Sequence, residues 1–177
     1  MLTAFLFVLL FFLFIVLLIA STVLQSRSFI GKSGENFIAH KLQRLDQSKY
    51  TVLNNIVLSS NGNTDTTQID HIVVSVYGIF CIETKMHKGW IFGSVHKKYW
   101  TQVLYKKKYR LYNPLRQNYA HIKSLEFLLG EKIKSPIISL VAFPRASRLK
   151  IDDLKLISNG QGTIANLLKY QDVIYDQ

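Results

Sequence analysis

From Leu2 to Ser26 the chain carries no charged residue, and the run from Ala4 to Ala20 is almost wholly Phe, Leu, Ile and Val. A helix of that composition and length crosses a hydrocarbon core of ~30 Å, so the direct reading is a membrane span over residues 4–24. A secretory signal peptide would instead carry a positive n-region, a shorter apolar part and a small-residue cleavage site, of which only Ala20-Ser21 gives a hint. Arg27 and Lys32 follow the stretch and no charged side chain precedes it. Positive charge stays inside, which predicts a single-pass protein of the cell membrane with a cytoplasmic C-terminal domain. Residues 25–30 read as a short linker, and the expected division is 1–26 for anchor and linker and 27–177 for the domain.

The remaining ~150 residues suit one domain with one core. Cys81 is the only cysteine; its neighbours Phe80 and Ile82 predict a buried, inert thiol, and a lone cysteine fits a reducing compartment. Lys and Arg number 22 against 11 Asp and Glu, a formal net charge of +11. Two anionic surfaces are then in question, nucleic-acid phosphates and acidic lipid headgroups. Composition does not separate them.

Apolar spacing predicts a helix from Gly31 to about Leu45 with Ser33 as its cap, and a strand over Tyr50 to Leu58. The polar cluster at 59–67 is a turn. Gln68 to Val76 and Ile79 to Lys85 are β-branched runs separated by Tyr77-Gly78, which calls for an antiparallel hairpin. Gly89 to Gly93, Tyr99 to Tyr105 and Tyr109 to Tyr112 read as further strands, the last two hairpinned around Lys106-Lys107-Lys108. Asn113-Pro114 starts a helix that Gly130 ends. Ile137 to Phe143 is a central strand, and 163–173 looks helical. The whole is α/β, a mixed β-sheet flanked by helices.

Four ionisable residues stand where a core should not want them: Glu35 on the apolar stripe of the first helix, and Asp70, Glu83 and Lys85 within the hairpin strands. With Tyr77-Gly78 as a two-residue turn, 70 opposes 85 and 72 opposes 83, placing both carboxylates and the ammonium on one face. Diagonal neighbours are roughly 7–8 Å apart, so two inward carboxylates can share a small cation with bonds of about 2.0–2.1 Å. Oxygen ligands of this kind suit Mg²⁺, with Mn²⁺ as a substitute. Such an ion activates water, and Lys85 would steady charge developing on phosphate. Gln117, with His121 one turn on, reaches towards the same place. The bland reading of these residues is a set of hairpin ion pairs.

Gly31-Lys32-Ser33-Gly34-Glu35, Gln68 to Ser75, Gly78 to Lys85, Gly89-Trp90-Ile91-Phe92-Gly93, Trp100, and Asn113-Pro114-Leu115-Arg116-Gln117-Asn118 with His121 together resemble the nuclease-related domain (NERD) family, which is grouped with the restriction-endonuclease-like PD-(D/E)XK nucleases. The resemblance implies that core fold. It also implies that Glu35, Asp70 and Glu83 bind the metal, Lys85 assists catalysis and Gln117 supports the site. Met86-His87 depart from the Asn that the family pattern carries after the lysine.

The expected activity is metal-dependent hydrolysis of phosphodiester bonds in DNA or RNA. The alternative is a non-catalytic module that binds nucleic acid, lipid or protein on the same fold. Lys97, Lys98, Lys106, Lys107, Lys108, Arg110 and Arg116, interleaved with Tyr99, Trp100, Tyr105, Tyr109 and Tyr112, are the candidate nucleic-acid contacts. No thiolate metal site, nucleophile elbow or Walker-type loop is present, and no small organic cofactor is expected.

Overall fold

The computed structural model describes residues 2–60, 65–133, 136–152, 155–160, 162–172 and 174. Two compact units emerge, Met1–Ser33 and Gly34–Gln177. Helix α1 (Leu2–Leu42) contributes to both. Residues 25–30, expected as a linker, are helical, and Ser33, expected as a cap, lies inside α1. Among the described residues no helix is long and apolar enough to cross a membrane. Within the expected span, side chains are described from Leu10 to Thr22; the rest of 4–24 lies outside them.

The second unit holds two mixed sheets where the sequence predicts one. The first is built from β1 (Tyr50–Ser59), β2 (Thr66–Ser75), β3 (Gly78–Thr84), β7 (Ile138–Phe143) and β9 (Ile157–Asn159), in the order β1-β2-β3-β7-β9. The second contains β4 (Gly89–Gly93), β5 (Tyr99–Leu104), β6 (Lys107–Tyr112) and β8 (Ala146–Ile151), in the order β6-β5-β4-β8. Antiparallel hairpins make up one side of each sheet. The links β3–β7, β7–β9 and β4–β8 are parallel.

Helices cover both faces of the first sheet. Ile38 and Leu42 of α1, with Leu167 of α3 (Gly162–Leu167), pack on Val73, Phe80, Ile82, Leu140 and Ala142. Truncating a wholly buried side chain such as Leu42 to alanine would cost about 2–5 kcal/mol. On the opposite face, Ile122 and Leu125 of α2 (Pro114–Leu129) meet Ile72 and Cys81. Beside α2, the inner face of the second sheet places Ile91, Trp100, Leu111 and Ile151 against Val141, Phe143 and Ile157. α3 is shorter than the predicted 163–173 helix, and Val173 lies outside the described residues.

Both hairpins turn differently from the sequence expectation. Ser75 pairs with Gly78, so the turn residues are Val76 and Tyr77 rather than Tyr77 and Gly78. Ser75 Oγ accepts from Tyr77 N at 3.2 Å and donates to Gly78 O at 3.0 Å, while Gly78 takes φ 133°, open to glycine at little steric cost. In the second hairpin Leu104 pairs with Lys107, so Tyr105 and Lys106 form the turn and the next two lysines belong to β6.

Candidate functional site

Strand β3 runs beside β7 as far as Thr84↔Ala142, and the same two stretches of chain resume beside each other as β4 and β8 from Gly89↔Ala146. Residues 85–88 are therefore the joint between the two sheets. Lys85 N donates to Ala142 O at 2.8 Å, keeping the chain against β7 as it leaves β3.

At this joint β3 also parts from β2. Their ladder ends at His71↔Ile82, and continuing it by one residue sets Asp70 across from Glu83, with Lys85 diagonal. The expected register was two residues away, pairing 70 with 85. Because the shift is even, the same three residues still share a face. Beyond the end of the ladder, Asp70 Oδ2 accepts from Thr84 N at 2.7 Å. On the other side of β2 the β1 ladder is broken at the same level: Asn55 takes φ 55° between the pairs Asn54↔His71 and Ile56↔Ile69, a conformation that Asn tolerates better than most residues.

Glu83 is buried and both its oxygens are engaged. Oε1 lies 2.6 Å from Lys85 Nζ and Oε2 lies 3.2 Å from His121 Nε2. The other ring nitrogen, Nδ1, is 2.7 Å from Thr67 Oγ1. A tautomer with Nε2–H donating to Glu83 and Nδ1 accepting from the Thr67 hydroxyl satisfies both contacts. Gln117 Nε2 stands 3.5 Å from His121 Nε2, so the predicted supporting residue touches the site through His121.

Burial favours the protonated carboxyl at both acids, yet they diverge. Asp70 is pushed up to about 7, first by burial, then by the charge of Glu83 and further by that of Glu35. Glu83 is held below the usual carboxylate range: burial opposes this, but the hydrogen bond from His121 and the charge and hydrogen bond of Lys85 outweigh it. One carboxylate is thus kept ionised by the Lys85 ammonium and the His121 hydrogen bond, and its charge makes the other harder to ionise.

Glu35 arrives from the other layer. It follows Gly34, where a β-carbon would collide with the Met86 side chain, so Met86 packs directly on the α1 backbone. That contact seats the start of the second unit's part of α1 against the end of β3. It also gives a packing role to a residue that departs from the family pattern. Among the described residues, no group of three His, Cys, Asp or Glu side chains stands close enough to hold a metal ion as they lie. By donor chemistry Glu35, Asp70 and Glu83 are oxygen ligands of the kind a hard cation takes, and the charges of Glu83 and Glu35 both reach Asp70 in its partly buried place.

Two buried asparagines place α2 over this joint. Asn113 caps the helix, accepting from Leu115 N at 2.9 Å while Nδ2 donates to Lys97 O at 2.7 Å and Val95 O at 3.2 Å. Asn118 Nδ2 donates to Cys81 O, Ser139 Oγ and Leu140 O at 2.9, 2.8 and 3.2 Å, and Oδ1 accepts from Cys81 Sγ at 3.0 Å. Cys81 is buried as expected, and burial, with the charges of Glu83 and Asp70, pushes its thiol up and out of reactive range. Among the described residues, two buried side-chain polar atoms have no partner, His71 Nε2 and Thr84 Oγ1, both within a residue of the acids.

The candidate nucleic-acid contacts are spread over several elements, with Lys98 and Arg110 meeting over the Tyr99 ring. Lys97 and Lys98 lie in the β4–β5 loop and Lys106 in the β5–β6 turn. By strand alternation Lys108 and Arg110 point to the outer face of the second sheet, whereas Lys107 is on the side of buried Leu111. Arg116 Nη2 donates to His96 O at 3.2 Å, which ties it to the loop. The sequence reading overlooked β8, whose Arg148 and Lys150 sit across from Trp90 and Phe92 on that outer face. The alternation Arg148, Leu149, Lys150, Ile151 carried the signal.

Residues 30–144, well over half of the chain, match the family model described as the nuclease-related domain. The chain belongs to the nuclease-related domain family. The matched region contains Glu35, Asp70, Glu83, Lys85, Gln117 and the joint itself. An uncharacterized protein of Bacillus anthracis is 42% identical to this nuclease-related domain protein over 123 residues, covering 69% of the chain and 57% of the relative. The chain thus spans somewhat more than half the length of that relative. No solved structure matches the chain.

Proposed function

We propose that this chain is a metal-dependent nuclease of the PD-(D/E)XK kind that hydrolyses phosphodiester bonds of DNA or RNA. The observation that carries the reading is the Asp70–Glu83 pair with Lys85 at a strand break, in a chain of the nuclease-related domain family. Asp70, Glu83 and Glu35 would hold Mg²⁺, or Mn²⁺ in its place. Bound there, such an ion polarises a phosphoryl oxygen and lowers the pKa of a bound water.

The chain's own residues have separable tasks in this reading. Asp70, crowded by Glu83 and Glu35, supplies a carboxylate whose ionisation a cation would favour. Lys85, aimed by its 2.6 Å contact with Glu83, carries positive charge to where negative charge grows on the phosphate. His121 fixes the orientation of Glu83, and Thr67 holds His121, with the Gln117 amide beside the ring. The overall reaction adds water across one P–O ester bond.

The proposal includes an anchor at residues 4–24 that keeps the domain at the cytoplasmic side of the cell membrane, supported by the uncharged run from Leu2 to Ser26 and by Arg27 and Lys32 after it. One observation favours the alternative of a non-catalytic binding module: both oxygens of Glu83 are already engaged by Lys85 and His121.

The test is cleavage by the full chain in mild detergent, with single- and double-stranded DNA and RNA and with Mg²⁺, Mn²⁺ or EDTA, beside Glu83→Ala and Lys85→Ala. Cleavage abolished by chelator and by either substitution is the expected result. Binding without cleavage under every condition would overturn the nuclease reading in favour of the module.

A further inference from the structure

Among the described residues, no element of its own unit covers the outer face of the second sheet, and the residues of that face follow a regular order. Register places Val103, Trp90 and Arg148 in one row and Arg110, Thr101, Phe92 and Lys150 in the next. The rows are about 6.6 Å apart along the strands, the reach of one nucleotide in an extended chain. Cations and rings interleave: Lys150 Nζ lies 5.1 Å from the Trp90 centroid and 5.3 Å from that of Phe92, Arg148 lies 5.6 Å from Trp90, and Arg110 stacks on Tyr99 at 3.5 Å. Trp90 is 43% exposed. The acid nearest by alternation, Asp152, accepts from Val95 N at 3.0 Å at the far end.

This face runs into a cleft. Trp90 also lines a cavity of about 780 Å³ shared with Lys88, Tyr105, Pro144 and Arg145. Lys88 and the Pro144–Arg145 turn lie in the two crossings between the sheets, the first of which begins with Lys85. The cations of the face, the indole of Trp90, and Lys88 and Arg145 thus form one sequence of positive and aromatic groups ending at the joint that Lys85 opens.

We propose that this track binds single-stranded nucleic acid, leading it across the second sheet and over Trp90 to the joint. The assignment rests on the nuclease reading for the use of the track and not for its chemistry. Partly exposed rings with cations lying over them match a stacked base and its phosphate once each cation turns from ring to phosphate, and stacking of this kind requires unpaired bases, because a duplex covers its base faces. What favours a single strand over a protein partner or a bilayer is the alternation of ring and cation in successive rows at the spacing of successive nucleotides.

The experiment measures binding in EDTA, so that cleavage is not needed, using the full chain in mild detergent. The probes are short fluorescent single-stranded DNA and RNA, a hairpin duplex, and vesicles of mixed phosphatidylserine and phosphatidylcholine. Single strands should bind about tenfold tighter than the duplex. Trp90→Ala should weaken single-strand binding about tenfold, with Trp90→Phe restoring most of it. Arg148→Ala with Lys150→Ala should reduce the salt slope by about 1.4, the value for two phosphate contacts on a single strand. Trp100 is buried and Trp90 is half-exposed, so a bound single strand should also quench Trp90 emission in the unmutated chain, a readout that survives if a variant fails to fold.

Duplex binding as tight as single-strand binding, unquenched emission in a bound complex, or vesicle binding without oligonucleotide binding would each overturn the track. The two proposals separate cleanly. Cleavage confined to duplex defeats the track and leaves the nuclease; single-strand binding lost in Trp90→Ala, with no cleavage in Mg²⁺ or Mn²⁺, supports the track and defeats the nuclease.

Discussion

The five-stranded sheet is covered by helices on both faces and keeps its charge inside, where Glu83 is buried between Lys85 and His121 and Asp70 accepts from the backbone. The four-stranded sheet buries one face and presents Arg110, Arg148 and Lys150 on the other, each beside an aromatic ring. Charge held inside must be oriented and partnered, so it is coupled to stability. Charge on an open face is screened and can be removed with little effect on the fold. In the proposed reading the first arrangement serves chemistry on a substrate and the second serves to hold one. The joint at 85–88 connects them.

The largest effect expected is at the polar link between α2 and the buried sheet. Asn118→Ala leaves Cys81 O, Ser139 Oγ and Leu140 O without that donor and should destabilise the protein by about 3–5 kcal/mol in urea unfolding. A loss below 1 kcal/mol would mean that water replaces the asparagine and that the inside of this sheet is less demanding than described.

Next in size, and opposite in sign, is Asp70→Asn in metal-free protein. The folded-state pKa of Asp70 lies at about 7, above the ordinary value of 3.8, so the native state binds the extra proton between those values. The stability contributed by protonated Asp70 is complete below about pH 4 and is lost as pH rises through 7. Asp70→Asn should therefore stabilise the protein by roughly 2–4 kcal/mol at pH 8, with the gain vanishing towards pH 4. His71 works in the other direction. Burial lowers it from 6.5 to about 4, so the stability from its neutral form is present above 6.5 and is lost as pH falls towards 4. In the asparagine variant this acid lability should stand uncompensated, which chemical denaturation across pH 4 to 8 would reveal. A variant less stable than the parent at pH 8 would show that the acids do not repel each other.

The smallest effect is predicted on the open face. Arg148→Ala with Lys150→Ala should change unfolding free energy by no more than ~0.5 kcal/mol. A larger loss would show that the cation–ring contacts hold the second sheet together and would blur the contrast between the two sheets.

Much of this organisation was legible in the sequence because the relevant rules are local. Alternation put Asp70, Glu83 and Lys85 on one face even though the turn was placed one residue late, since an even shift preserves the face. Asn113-Pro114 and Gly130 bracketed α2 because caps are encoded beside the helix they end. Burial of Cys81 followed from its apolar neighbours. The division into two sheets was not legible, because it depends on where β3 leaves β2 and takes up β4, a matter of long-range pairing. Asn118 stood in the family motif with no role assigned to it, because its partners Cys81, Ser139 and Leu140 lie on β3 and β7. Arg148 and Lys150 were overlooked with β8, whose partner β4 is more than fifty residues away.

The proposed nuclease requires Asp70, Glu83 and Glu35 to hold one divalent cation together beside Lys85. Calorimetric titration of the full chain with Mn²⁺, beside Asp70→Asn and Glu83→Gln, tests it most directly. The account predicts one ion per chain, with binding lost or weakened at least tenfold in each variant. Absence of binding in the parent protein, or equal binding in all three, would contradict it.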